Sequence, residues 1–250
     1  MFFDVLQLTP VQLVFSVFII FIAYTVKGLS GFGSGLIAIP FLALIFPVAF
    51  IVPVLGLLSY SGTILQSFHL RRQVCWKDML PLLPFSFVGI SIAVWMLVNV
   101  SQSALVFYLG LFVLLYSVYS LLPFPEPHGG RKWAVLAGGM GGFVGALFGT
   151  GGPFYVLYLK MRKLDKGAFR ATIAMIFLVD GGVRIVGYAL NGLYTQKVLW
   201  MLLVLFPVLL AGIYVGHHLH IKINETRFNQ VISLLLLLSG VMLLYKAGGL

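Results

Sequence analysis

The chain has 250 residues, of which 61% are hydrophobic and only 9% are charged. A soluble domain carries about 25% charged residues, so this composition predicts an integral membrane protein. The net charge of +10 does not indicate nucleic-acid binding, because the basic residues fall in short clusters between apolar runs. The single cysteine excludes an intramolecular disulfide.

The first apolar stretch of the chain is broken by glycines. Residues 11–26 form an apolar run, the segment 27–35 interrupts it, and a short run over 36–46 ends at Pro47. We interpret residues 11–46 as a helical hairpin whose two arms meet at the glycines.

Six longer apolar runs follow, each sufficient to cross a bilayer core of about 30 Å, which needs about 20 helical residues. They cover residues 48–70, 79–98, 103–122, 171–190, 198–216 and 228–245. Between the third and fourth of them lies a second broken stretch, residues 133–159, with its glycine turn at 149–152. The expected fold is an all-α polytopic membrane protein.

The order of elements repeats along the chain. A shift of 118 positions carries Gly31 onto Gly149, and the spans and loops follow in the same sequence. We therefore predict two repeats in a single transport domain, residues 1–125 and 126–250, each a hairpin followed by three spans. A hairpin plus three spans gives an odd number of crossings, so the repeats are inverted. Inverted repeats with interrupted helices are typical of secondary transporters.

The distribution of Lys and Arg favours hairpins over single crossings. Without Lys27 and Arg184, which lie inside apolar segments, fourteen of the sixteen basic residues remain. If each broken stretch is a re-entrant hairpin, twelve of them lie on one side of the membrane and two on the other. If each stretch crosses once as a broken helix, seven lie on each side. The positive-inside rule favours the hairpins. The expected cytoplasmic loops are 71–78, 123–132, 160–170 and 217–227.

The glycine turns are the first candidate site. Each second arm begins at a glycine turn, where backbone N–H groups and the positive end of the helix dipole favour an anion. Glycine allows close approach of a ligand, and nearby hydroxyls add donors. The candidate residues are Gly31, Gly33, Ser34, Gly149, Thr150, Gly151 and Gly152. The alternative is that these glycines only permit tight turns and close helix packing.

Charged residues inside the spans are the second candidate. Asp180 and Arg184 lie one helical turn apart. Arg184 suits oxyanion recognition, with Asp180 positioning it or taking part in proton coupling; the alternative is a structural ion pair. By the repeat shift Arg184 corresponds to Gln66, a candidate polar partner. Lys27 either contributes to coupling or positioning at the substrate site or neutralises a helix C-terminus.

Two signatures resemble those of a known family. The stretch 29–40 (Leu-Ser-Gly-Phe-Gly-Ser-Gly-Leu-Ile-Ala-Ile-Pro) resembles the first glycine signature of the TauE/SafE family of sulfite and organosulfonate exporters. The stretch 142–153 is similar to the second. Residues 71–78 lie where that family carries a Val-Asp-Trp-like turn, with Cys75 in place of the usual acid. The resemblance covers residues 10–246.

This resemblance implies a multi-pass carrier of the bacterial inner membrane that moves a small sulfur-containing anion, sulfite or an organosulfonate, with export as the expected direction. Its partners would be that anion and the lipid bilayer, with a homodimer left open and no nucleic acid. The chain lacks a His-Glu-x-x-His pair and an ATP-binding glycine loop. We therefore expect no enzyme, catalytic residue, metal or cofactor. A passive anion channel and a non-transporting scaffold or sensor remain the alternatives.

Overall fold

The computed structural model describes residues 9–30, 33–122, 129–219 and 225–248. Throughout these ranges the chain is helical and contains no strand, so the predicted all-α fold is confirmed. The helices are α1 (Pro10–Ser30), α2 (Ser34–Ala43), α3 (Val48–Leu70), α4 (Trp76–Met79), α5 (Leu83–Asn99), α6 (Gln102–Leu121), α7 (Ala134–Phe148), α8 (Gly152–Met161), α9 (Lys166–Leu190), α10 (Gln196–His218) and α11 (Glu225–Gly248).

Each predicted span coincides with one of the long helices. Among the described residues, five segments are long and apolar enough to cross a membrane: Pro10–Leu29, Trp76–Asn99, Gln102–Leu121, Lys166–Leu190 and Gln196–His218. Helices α3 and α11 have 23 and 24 residues, which is sufficient length for a crossing. The chain is thus a multi-pass membrane protein.

The helices form two compact units. The first comprises Met1–Leu55, Val100–Phe124 and Tyr194–Leu250, and the second comprises Gly56–Asn99 and Pro125–Leu193. Each unit therefore contains segments from both halves of the chain. The repeat boundaries at residues 1–125 and 126–250 stay a prediction.

In the first unit, α1 and α10 pack in parallel through glycines. A Cβ at Gly28 would lie 2.8 Å from the Ile213 carbonyl oxygen and 3.0 Å from the Cα of Gly216. This contact corrects the predicted start of the interruption at Lys27, because α1 continues through Ser30. The glycine at position 28 serves helix packing rather than a turn.

The end of α2 is held by the last turn of α11. The Lys246 Nζ donates hydrogen bonds to the carbonyl oxygens of Ala43 at 3.2 Å and Leu44 at 3.1 Å. Carbonyls at a helix C-terminus lack intrahelical partners and carry partial negative charge. The positive charge of Lys246 thus neutralises the partial negative charge at the C-terminus of α2, where the chain leaves the first hairpin.

In the second unit, α5 and α7 also pack in parallel with their backbones in contact. A Cβ at Gly138 would lie 2.5 Å from the Leu82 carbonyl oxygen, and one at Gly142 would overlap the carbonyl oxygen of Ser86. Small residues let transmembrane helices approach closely. Helix α9 runs in the same direction, since Ser86 contacts Asp180 and Val94 faces Gly187.

The parallel direction of α5 and α9 bears on the second broken stretch. If that stretch crossed the membrane once, α5 and α9 would have to run antiparallel, because α6 and one further crossing would separate them. A re-entrant hairpin leaves them parallel, as they are. The hairpin interpretation stays a prediction, and it requires the parallel direction that α5 and α9 have.

A buried carboxylate joins the two outer ends of the second hairpin. Asp78, which is 4% exposed, accepts hydrogen bonds from the Nε atoms of Arg131 at 3.1 Å and Arg162 at 2.9 Å. Arg131 precedes α7 and Arg162 follows α8. The three side chains form what we call the basal cluster.

We expect replacement of Asp78 with alanine to lower stability by about 2 kcal/mol, because two guanidinium groups lose their shared carboxylate. The measurement is the thermal midpoint of unfolding in detergent. Asp165 serves as the control, since it is exposed and caps α9 through the Ala168 amide at 2.9 Å. Asp165→Ala should cost about 1 kcal/mol. Equal losses in the two variants would contradict a special role for the basal cluster.

Beside this cluster lies the single cysteine. Cys75 is half-buried, and its Sγ donates to the Asp78 carboxylate at 3.3 Å. Burial, together with this hydrogen bond and the negative charge of Asp78, raises the pKa of the Cys75 thiol. The thiol is therefore protonated at neutral pH and is a poor nucleophile.

Candidate functional site

The second hairpin reverses direction at its glycine turn. Helices α7 and α8 run antiparallel, because Gly141 packs on the Tyr155 ring while Gly151 packs against Gly141 and Gly145. A Cβ at Gly151 would lie 3.0 Å from the Gly145 Cα and would overlap the Gly141 carbonyl oxygen. The arms can approach this closely because neither has a side chain at these positions.

The tip itself is formed by residues 149–152. Gly149 ends α7 in the left-handed region, at φ 64°, which glycine adopts without strain. The Val144 carbonyl accepts hydrogen bonds from the amides of Gly149 and Thr150. Helix α8 then starts at Gly152, followed by Pro153 in its first turn. The start of a helix therefore lies at the tip of the hairpin.

The Thr150 side chain at this tip is buried but has no hydrogen-bond partner. The residue is 3% exposed, and its Oγ1 is one of the few buried side-chain oxygens of the described chain without a partner. A buried hydroxyl that lacks a partner costs free energy. An unpartnered buried hydroxyl indicates a position where a bound molecule supplies the missing hydrogen bond.

Arg184 reaches the same tip from α9. Its Nη1 donates a 2.6 Å hydrogen bond to the carbonyl oxygen of Gly145, the residue that packs against Gly151. One turn further along α9, the Tyr188 hydroxyl donates to the Ala146 carbonyl. A guanidinium has five N–H donors, and this contact uses one of them within the described structure.

Asp180 does not pair with Arg184 in the described structure. Its two carboxylate oxygens accept from the Ser86 hydroxyl, at 2.8 Å, and from the Tyr155 hydroxyl. Asp180 is 3% exposed. The two charged side chains therefore hydrogen-bond to different groups, although they are close enough for their charges to interact.

The candidates from the first hairpin lie in the first unit. Gly33 precedes α2 with φ 94°, and a Cβ there would meet no atom within 4 Å. Ser34 is buried in the first turn of α2. Lys27 lies in the last turn of α1, with its Nζ 5.6 Å from the centre of the Tyr24 ring. Gly31 lies outside the described residues, as does the side chain of Gln66.

The second unit brings together residues that lie far apart in the sequence, and it adds others. Gly149, Thr150, Gly151 and Gly152 form the second tip, Arg184 contacts Gly145 beside it, and Asp180 contacts Tyr155 in the first turn of α8. Ser86 and Tyr155 were missed because they are 94 and 25 positions away from Asp180 along the chain. A hydroxyl within an otherwise apolar membrane segment was the available signal.

Comparison with known proteins agrees with this architecture. The family described as sulfite exporter TauE/SafE matches residues 16–243. A relative from Comamonas testosteroni, the probable inner membrane transporter protein TsaS, is 25% identical over 180 residues, which cover 69% of this chain and 73% of the relative. No solved structure matches the chain. The match over nearly the whole chain shows that this protein belongs to the sulfite exporter TauE/SafE family of membrane transporters.

Proposed function

We propose that the protein is a secondary transporter that carries a small sulfur-containing anion, sulfite or an organosulfonate, across the bacterial inner membrane by alternating access. The family and the description of the Comamonas testosteroni relative as an inner membrane transporter support this proposal. Export is the net direction that the family name favours. The anion would bind at the second glycine tip, and Gly31, Gly33 and Ser34 of the first hairpin remain candidate contributors by sequence position.

The observation that carries the proposal is the unpartnered hydroxyl of Thr150 at the second tip. Three kinds of donor occur at this tip: that hydroxyl, the Arg184 guanidinium and the backbone N–H groups at the start of α8. An oxyanion accepts hydrogen bonds from all three kinds of donor. The Asp180 carboxylate does not occupy these donors, because it accepts from Ser86 and Tyr155 instead.

Sulfite and sulfonates match these donors by shape as well as charge. Each presents three oxygens around one sulfur atom, so backbone N–H groups, a hydroxyl and a guanidinium can each contact a different oxygen. Gln66 and Lys27 remain candidate contributors by sequence position. We expect no ATP requirement, since ion gradients drive transporters of this inverted-repeat type.

Counterflow in reconstituted proteoliposomes tests the function. Vesicles loaded with unlabelled sulfite or methanesulfonate should transiently concentrate the radiolabelled anion above its outside level, with saturable kinetics. A pore would equilibrate the label without this overshoot. A scaffold would give the flux of protein-free vesicles, and either result would overturn the carrier proposal.

Thr150→Val should weaken substrate binding and stabilise the empty protein. Loss of one hydrogen bond to the charged anion, worth about 2 kcal/mol, predicts a rise of about 30-fold in KM. Removing an unpaired buried hydroxyl should raise the free energy of unfolding by about 1 kcal/mol. Counterflow kinetics and thermal unfolding measure the two effects. Thr150→Ser keeps the hydroxyl and should retain the KM; a valine variant with unchanged KM would contradict contact between Thr150 and substrate.

A further inference from the structure

Two buried aspartates in the second unit have opposite kinds of partner. Asp78 accepts from the Cys75 thiol and from two arginines, whose positive charges hold it in the ionised form and which cannot accept hydrogen bonds. Asp180 accepts from two hydroxyls, Ser86 and Tyr155. A hydroxyl can both donate and accept. Only the environment of Asp180 therefore suits a carboxyl group that gains and loses a proton.

The hydrogen bonds of Ser86 provide for both protonation states of Asp180. The Ser86 hydroxyl lies 2.8 Å from the Asp180 Oδ1 and 3.1 Å from the carbonyl oxygen of Leu83. When Asp180 is ionised, Ser86 donates to the carboxylate. When Asp180 is protonated, its O–H donates to the Ser86 oxygen while the Ser86 hydroxyl turns to Leu83. No buried polar group loses its partner in either state.

The remaining groups near Asp180 leave this exchange undisturbed. Tyr60 of α3 packs on Gly181, and Tyr188 is occupied with the Ala146 carbonyl. Arg184 donates to Gly145 one turn away. The Arg71–Gln73 turn and α4, which carry charged residues, contact the first part of α9, where Thr172 Oγ1 accepts from the Cys75 amide. Thr172 precedes Asp180 by eight residues, about 12 Å along the helix axis.

We propose that Asp180 is the proton-binding site of the transporter and that a proton moves together with the anion. This proposal rests on the proposed anion site at the second tip. Asp180 is one turn from Arg184 on α9, and its partner Tyr155 lies in the first turn of α8, directly after the tip. The proton transfers from water to a carboxylate oxygen and returns to water on the other side, with no other bond formed or broken.

Electrostatics sets the sign of this coupling. An ionised Asp180 repels an anion bound near Arg184, and a protonated Asp180 leaves the positive charge of Arg184 uncompensated. Anion and proton therefore bind cooperatively, and by reciprocity each raises the affinity for the other. The resulting symport runs in whichever direction the combined anion and proton gradients favour.

Proton movement in proteoliposomes tests the coupling. An outward methanesulfonate gradient, with no initial pH difference, should carry protons out and alkalinise an internal pH-sensitive dye. Methanesulfonate stays ionised at every pH of the experiment, so the protein must carry any proton that moves with it. If only sulfite is exchanged in counterflow, sulfite replaces methanesulfonate, and protein-free vesicles correct for passive sulfur dioxide flux.

Asp180→Asn separates coupling from transport. The asparagine amide can donate to Ser86 as the protonated acid does, so the variant should fold and its anion counterflow should become independent of pH. Its anion-driven alkalinisation should fall to the protein-free level. Retained alkalinisation in this variant, or its absence in a wild-type protein that exchanges the anion, would overturn the proton site. Absence of wild-type counterflow would instead overturn the proposed function.

Tyr155→Phe provides a second test that does not depend on the asparagine variant. It removes one donor to the ionised carboxylate and leaves Ser86 in place. Protonation of Asp180 should become easier, so the pH at which counterflow is half-maximal should move upward. An unchanged pH profile in a folded variant would contradict the role of Asp180 as the titrating group.

Discussion

Replacing Arg184 with alanine is expected to raise the KM for anion counterflow by about 100-fold, which corresponds to the loss of charge-assisted hydrogen bonds. The guanidinium donates to the Gly145 carbonyl at the second tip and has further N–H groups for a ligand. Arg184 is also the basic residue closest to the hydroxyl-bound Asp180 along α9. Counterflow of radiolabelled sulfite or methanesulfonate measures the change.

Two further substitutions at this position distinguish charge from hydrogen bonding. Arg184→Gln can still donate to the Gly145 carbonyl but lacks the positive charge, so it should bind the anion as weakly as the alanine variant. Arg184→Lys keeps the positive charge but places it on one ammonium group, without the several N–H donors of the guanidinium. It should weaken anion binding by about tenfold. A glutamine variant with normal KM would show that Arg184 only holds the hairpin.

A methyl group at Gly151 is expected to disrupt the second tip. A Cβ there would overlap the Gly141 carbonyl oxygen and approach the Gly145 Cα to 3.0 Å. All of these are backbone atoms, so the arms of the hairpin would have to separate. We expect Gly151→Ala to lower the free energy of unfolding by about 3 kcal/mol and to abolish counterflow.

The matched control for this variant is Gly139→Ala on the same hairpin. A Cβ at Gly139 would meet no atom within 4 Å, and alanine favours helix over glycine by up to about 1 kcal/mol. Its thermal midpoint and counterflow should therefore be unchanged or slightly higher. Equal damage at both positions would mean that general glycine flexibility, rather than close contact of the arms, is required.

Hydropathy predicts the helices because membrane segments must satisfy their backbone hydrogen bonds internally. The spans from 48–70 to 228–245 each coincide with a helix. The glycine turn at 149–152 is also where α7 ends and α8 begins. The end of α1 was placed too early, because a glycine that packs against another helix and one that forms a turn have the same appearance in a sequence.

The contacts of the charged residues could not be predicted in the same way. Asp180 and Arg184 have the spacing of an ion pair, yet each binds groups that are distant in sequence. Asp78 also lies far in sequence from Arg131 and Arg162, whose sequence positions indicate only a side of the membrane. Such partnerships depend on helix packing, which local spacing does not encode.

The basal cluster also determines how the second hairpin can move. The arginines at both of its outer ends bind a single carboxylate, Asp78. Near its tip, the carbonyls of Gly145 and Ala146 accept hydrogen bonds from Arg184 and Tyr188 of α9. Rotation about this anchored base displaces the tip far more than the base. Helix α7 is about 22 Å long, so a tilt of about 10° would carry the tip through about 4 Å. A small angular motion is therefore comparable in amplitude to the size of a sulfite ion.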